Sequence, residues 1–143
     1  MGDNVTAESL LKRAMLYLED EKWSKANRYC EYALDIEPEN AGAYLGKLMA
    51  ELNVHRKEEL KEQMKPFDGN ANYIKAVRFA DYRLSDELSG YIAYINERNV
   101  KQLSEELYKE GVTVMNSAET EEEFRNAALK FKEISGFKDA YEL

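Results

Sequence analysis

The sequence predicts an all-α fold from three features. Its 143 residues contain only 7 Gly and 2 Pro, which is sparse turn chemistry for a chain of many short strands. Leu, Glu, Lys, Ala and Met, all good helix formers, fill nearly half of the positions. No β-branched run alternates with polar residues for long enough to make a strand. Short helical stripes separated by brief polar breaks predict antiparallel helix pairs within one helical domain over 1–143.

Thr6 is placed to cap a first helix whose apolar positions Leu10, Leu11, Ala14 and Leu18 recur at helical spacing. The polar run Glu19-Asp20-Glu21-Lys22 ends it. A second helix is predicted from Trp23 to about Ile36, with Ala26, Tyr29, Cys30, Ala33 and Leu34 on one face and Pro38 as the stop. Asn40 is a cap for a third helix, Ala41 to Asn53, whose wide stripe Tyr44, Leu45, Leu48, Met49 and Leu52 carries no charge. Arg56 to Lys65 is charged, offers Leu60 and Met64 four apart, and reads as a shorter surface helix stopping before Pro66. Pro66-Phe67-Asp68-Gly69-Asn70 is the clearest loop.

Beyond the loop, Tyr73, Val77, Ala80, Leu84, Leu88, Tyr91 and Ile95 form one stripe at spacings of three or four residues. This predicts a single long helix over 71–98, about 40 Å in length at 1.5 Å per residue. A last pair over 100–135 follows: Val100, Leu103, Leu107, Gly111, Val114 and Ala118 mark one helix, and Phe124, Ala127, Ala128, Phe131 and Ile134 the next. Thr120 and Glu123 would form a capping box for the second of these, and Gly136 would stop it. Phe137, Ala140, Tyr141 and Leu143 then begin a further short helix over 137–143.

Consecutive short helix pairs invite a test for repeats. Residues 7–40 span the roughly 34 positions of a tetratricopeptide unit. Aligned on Pro38, the window places Ala14, Tyr17, Ala26 and Ala33 at its small, aromatic, small and small positions, with Trp23 at the aromatic of the turn. Residues 7–40 thus resemble one tetratricopeptide repeat. Arg13 departs from the family's usual leucine and Cys30 from its usual aromatic. A second pair over 41–66 is degenerate, with Leu48 and Leu60 where small residues belong. The wider sequence, including Ala43-Tyr44-Leu45-Gly46-Lys47-Leu48 and Tyr94-Ile95-Asn96-Glu97-Arg98-Asn99, resembles uncharacterised helical-repeat segments of Firmicute bacterial proteins. The resemblance implies a tetratricopeptide-like α-α superhelix on which the long helix packs. It also implies a non-catalytic protein-interaction or assembly scaffold, expected as part of a longer protein. The alternative is a helical accessory or regulatory domain of a larger enzyme or signalling protein.

The groove of such an array is lined by the first helix of each pair. In this register it comprises Leu11, Met15, Leu18 and Glu19, then Leu45, Met49, Leu52 and Asn53. The expected occupant is a protein or peptide partner, or the chain's own long helix. Leu11 and Met15 stand where related grooves hold polar carboxylate-gripping residues, which argues against that mode of binding. A homo-oligomer through the C-terminal end is a further expectation, because that end is not polar.

Other function classes find little support. The net charge of −8 gives no electrostatic drive toward nucleic acid, and no apolar run approaches the length of a membrane span. The expected location is the cytoplasm. A single cysteine precludes an internal disulfide, and Cys30 sits on an apolar helical face as a small hydrophobe. The lone His55 is read as solvated or capping a helix end. Neither a catalytic constellation, nor a metal-ligand spacing, nor a phosphate-binding glycine loop is present, so no cofactor is expected. Ten tyrosines suit either helix packing with a wet hydroxyl or a binding surface.

Overall fold

The computed structural model describes residues 5–117 and Arg125, and every regular element among them is helical. They are α1 (Ala7–Glu19), α2 (Trp23–Ile36), α3 (Ala41–Glu51), a 3-10 turn (Lys57–Glu62), α4 (Ala71–Phe79) and α5 (Tyr82–Ser117). The chain divides into two units, Met1–Ile95 and Asn96–Leu143.

In the first unit, local capping chemistry sets the helix ends. Thr6 opens α1 with a reciprocal box: its Oγ1 accepts from the Ser9 amide at 3.0 Å, and the Ser9 hydroxyl accepts from the Thr6 amide at 3.1 Å. The end of α1 is a Schellman closure. Lys22 N–H donates to the Tyr17 carbonyl at 2.8 Å and Glu21 N–H to that of Leu18 at 3.1 Å, which turns Glu21 to a φ of 61°. The end of α3 repeats the motif. Val54 N–H donates to Met49 at 2.9 Å and Asn53 N–H to Ala50 at 3.3 Å, with Asn53 at φ 56°. Val54 and Met49, the two positions between which this motif favours an apolar contact, are both buried.

The helix α2 runs from Trp23 to Ile36 as its pattern predicts. Asn40 then caps α3, its side chain accepting from the Ala43 amide at 3.0 Å. Turns of only a few residues make consecutive helices reverse and pack side by side. Each helix from α1 to α3 packs on the next, and α1 also touches α3. Lying between α1, α2 and α4, α3 is the most enclosed, with Ala43, Leu45, Gly46, Leu48, Met49 and Ala50 all buried. Small residues permit the close approaches. Ala14, Ala26, Cys30 and Ala33 are fully buried, and a Cβ built on Gly46 would land on the Cys30 Sγ.

Past α3 the structure departs from the expected short surface helix over Arg56–Lys65. Only Lys57–Glu62 is regular, as a 3-10 turn, and its Leu60 is fully buried. Lys57 pairs with Glu87 of α5 at 3.0 Å, and the Lys61 ammonium lies 5.5 Å from the Tyr94 ring two turns further on. The turn therefore lies along the first part of α5 with its leucine inward. Phe67 of the following loop is buried edge-on to Tyr73 at 5.6 Å, which anchors that loop to α4. Asn70 caps α4, accepting from Asn72 and Tyr73 amides, while its amide nitrogen reaches Glu51 at 2.6 Å.

The single helix expected over 71–98 is two helices. Ala80 is extended at ψ 150°, and Asp81 starts a new helix by accepting from the Leu84 amide at 2.8 Å. The carboxylate is a strong N-cap, and capping from this position requires a non-helical backbone at the break. The expected boundary before Val100 is absent: α5 continues to Ser117, because Asn96-Glu97-Arg98-Asn99 is polar but contains neither proline nor glycine. The main core gathers Leu18, Leu45, Leu48 and Met49 with Leu60, Tyr73, Leu88, Ile92 and Ile95. A smaller cluster of Ala7, Ala14, Cys30, Ala33 and Ala43 fills the space between α1, α2 and α3.

In the second unit the described residues are the remainder of α5 and Arg125. Ser104 and Gly111, seven residues apart, are buried, whereas Leu103 of the expected stripe is 43% exposed. The expected second helix of the pair, its capping box at Thr120 and Glu123, the stop at Gly136 and the segment over 137–143 lie outside the described residues, as does the C-terminal surface invoked for a homo-oligomer.

Candidate functional site

The eight groove positions do not form one open surface. Leu18, Leu45 and Met49 are buried in the main core, and Met15 and Leu52 pack against it half-buried. Leu11 is half-buried against the smaller cluster, while Glu19 and Asn53 are exposed at the ends of their helices. The core that covers Leu18, Leu45 and Met49 contains Tyr73 and Ala76 of α4 and Leu88, Ile92 and Ile95 of α5. Three of the eight positions thus share one core cluster with residues of α4 and α5. Asn53 serves the backbone, holding the left-handed residue that closes α3.

What remains accessible is a cleft of ≈ 600 Å3 beside α1, lined by Thr6, Glu8, Leu11, Lys12, Met15, Glu37 and Asn40. Its floor is apolar through Leu11 and Met15. Its rim carries both charges: Glu8 and Glu37, and Lys12, whose ammonium lies 3.6 Å from the Glu8 carboxylate. Glu37 is also bound by the Asn40 amide at 2.7 Å, which fixes one wall. Convergent apolar floor and polar rim suit a side chain or short segment of another protein.

Cys30 is fully buried and free, and burial pushes its thiol up to about 12, so it stays protonated at neutral pH and is no nucleophile. Glu87 is held below the usual carboxylate range, first by the Tyr91 hydroxyl donating at 2.6 Å and then by Lys57, an arrangement that ties the 3-10 turn to α5. Among the described residues no group of three or more His, Cys, Asp or Glu is placed to hold a metal ion. Among the same residues no helix is long and apolar enough to cross a membrane.

Sequence reasoning missed the role of His55. Its Nε2 meets Glu21 Oε1 at 2.9 Å and its Nδ1 meets Glu59 Oε1 at 3.3 Å, with the Trp23 ring 5.3 Å away. The imidazole thereby links the turn after α1 to the 3-10 turn, and the hydrogen bonds to Glu21 and then Glu59 raise its pKa above 6.5. Glu59 at i+4 was visible as a neighbour. Glu21, 34 positions away, was not.

No family model, curated protein or solved structure matches the chain.

Proposed function

We propose that the chain is a non-catalytic protein-interaction or assembly scaffold built from tetratricopeptide-like helix pairs and working in the cytoplasm. The observation that carries this reading is the cleft beside α1, where Leu11 and Met15 remain accessible while the other apolar groove positions are mostly consumed by the core. The repeat-like reading draws support from Ala14, Ala26 and Ala33, all fully buried, and from helices that pack in chain order. A reversed helix pair sharing an alanine-lined seam can stack on a following helix and leave its first helix facing a guest. A partner segment then sets an apolar side chain on Leu11 and Met15 and meets the charged rim with polar groups.

The test is site-specific photocrosslinking in cells from position 11, with position 31 on α2 as an exposed control. The expected result is a discrete adduct with another protein at position 11 that is absent from position 31. Met15→Glu should abolish it while far-ultraviolet circular dichroism stays helical. Identical adducts at both positions, or an adduct indifferent to Met15→Glu, would overturn the assignment of the cleft.

A further inference from the structure

A second surface is built on α1 and α2 from residues that do not line the cleft. On α1, Arg13 and Tyr17 are one turn apart. On α2, Lys25, Tyr29, Tyr32 and Ile36 follow at spacings of four, three and four, which places them on one stripe. The structure joins the two stripes. The Tyr17 and Tyr29 rings lie 5.2 Å apart at 49°, and Tyr29 meets Tyr32 edge-on at 5.5 Å. The Arg13 guanidinium lies 5.1 Å from the Tyr29 ring and 5.9 Å from the Tyr17 ring, and its Nη2 donates to the Tyr17 hydroxyl at 3.1 Å. The Lys25 ammonium lies 5.7 Å from the Tyr17 ring. Tyr32 is 45% exposed and Ile36 49%.

On this face the cations sit against rings rather than carboxylates. With a net charge of −8, carboxylates are abundant, and Lys12, Lys47 and Lys57 each have one as an ion-pair partner. Arg13 and Lys25, by contrast, have aromatic rings and a phenol as neighbours, and neither is ion-paired among the described residues. Two cations thus stand over a tyrosine platform with no carboxylate of the described residues within ion-pair distance. Arginine held by ring stacking and a hydrogen bond loses little further freedom when a carboxylate arrives, and its planar fork suits two-point contact. Tyrosine and arginine are also the residue types enriched where protein interfaces concentrate their energy.

We propose that the Arg13–Tyr17–Lys25–Tyr29–Tyr32 face docks an acidic amphipathic peptide segment of a partner protein. Its carboxylates pair with Arg13 and Lys25, and its apolar side chains cover Tyr32 and Ile36. The negative chain as a whole disfavours a polyanion such as nucleic acid, whereas a short segment needs to engage only this local pair of cations.

The probe is a fluorescein-labelled helical peptide of about 18 residues made of Leu, Ala and Glu, titrated with the full chain and read by fluorescence anisotropy. The same peptide with Gln or Lys in place of Glu supplies the comparison. Saturable binding of the Glu peptide is expected, weaker for Gln, absent for Lys, and declining as salt rises. Arg13→Gln with Lys25→Gln should weaken it by about tenfold or more, while Lys65→Gln with Arg83→Gln, which removes the same charge elsewhere, should not. Tyr32→Ala, at an exposed position, should weaken binding without loss of helical signal. No binding of the Glu peptide, or equal binding of all three peptides, would overturn the proposal. So would self-association of the chain abolished by the Arg13/Lys25 variant, which would assign the face to a second copy.

Discussion

Gly46 offers the sharpest test of how α1, α2 and α3 fit together. It lies inside α3, where alanine should stabilise an isolated helix by about 1 kcal/mol. In this fold the added Cβ would land on the Cys30 Sγ and sit 3.2 Å from the Met15 Cε. The methionine end is flexible and half-buried, and it can move aside. The cysteine is fully buried on a packed helix face, so the helices must separate or the thiol must leave its rotamer. Overpacking of this kind costs about 1 to 3 kcal/mol, which outweighs the propensity gain. Gly46→Ala should therefore be less stable by up to about 2 kcal/mol in urea denaturation followed by circular dichroism. Cys30→Ala removes the obstructing sulfur, so the double variant should recover about 1 kcal/mol or more beyond the sum of the single changes. Gly90 provides the internal comparison: a Cβ there meets nothing within 4 Å, and Gly90→Ala should raise stability by about 1 kcal/mol. A Gly46→Ala variant more stable than the parent, or strict additivity with Cys30→Ala, would refute the close contact of α2 with α3.

Two further predictions test the connections between helices. Because His55 is more basic folded than its ordinary 6.5, its contribution is complete below that value and is lost as pH rises through the higher folded pKa. The melting temperature should fall across that interval, and His55→Gln should flatten the dependence; an unchanged pH profile in the variant would remove His55 from this role. At the start of α5, Asp81→Ala deletes the carboxylate that accepts from Leu84 and should cost about 1 kcal/mol, checked by denaturation, with Asp81→Asn retaining most of the stability.

The all-α class was legible because it depends on composition and on apolar spacing, both local properties. Helix α2 was legible to its ends, since the polar run before Trp23 and Pro38 after Ile36 are punctuation that needs no tertiary context. The break at Ala80 and Asp81 was hidden by periodicity. Tyr73, Val77, Ala80, Leu84 and Leu88 keep their phase across it, so the inward stripe looks continuous while the backbone is not. Asp81, an N-capping residue type before an apolar stripe, was the signal available. At the other end, the polar run Asn96-Glu97-Arg98-Asn99 holds nothing that stops a helix, and α5 passes through it. The groove was legible as an apolar stripe and no further. Whether Leu45 or Met49 faces a guest or a core depends on what lies over it, and residues of α4 and α5 share that core.

The turn after α1 shows how a local departure from the expected residue can be explained from a distance. A helix closed by a Schellman motif favours glycine at the left-handed position, and a non-glycine residue there costs roughly 1 kcal/mol. This chain places Glu21 at φ 61°. Glycine would relieve the backbone but would remove the carboxylate that holds His55 Nε2 at 2.9 Å. The end of α3 uses Asn53 at φ 56°, a residue that tolerates this region better, and its closure brings the chain directly through Val54 to His55. The two closures thus set the ends of one connection, with Glu21 at the first and His55 two residues beyond the second. Backbone strain at Glu21 is offset by a side-chain contact that pins the turn after α1 to the segment after α3. The same contact makes that connection sensitive to proton concentration, since His55 favours its charged form between two carboxylates. Substituting Glu21 therefore changes two quantities of opposite sign, and the pH dependence separates them: the strain is indifferent to pH, whereas the imidazole contact is not.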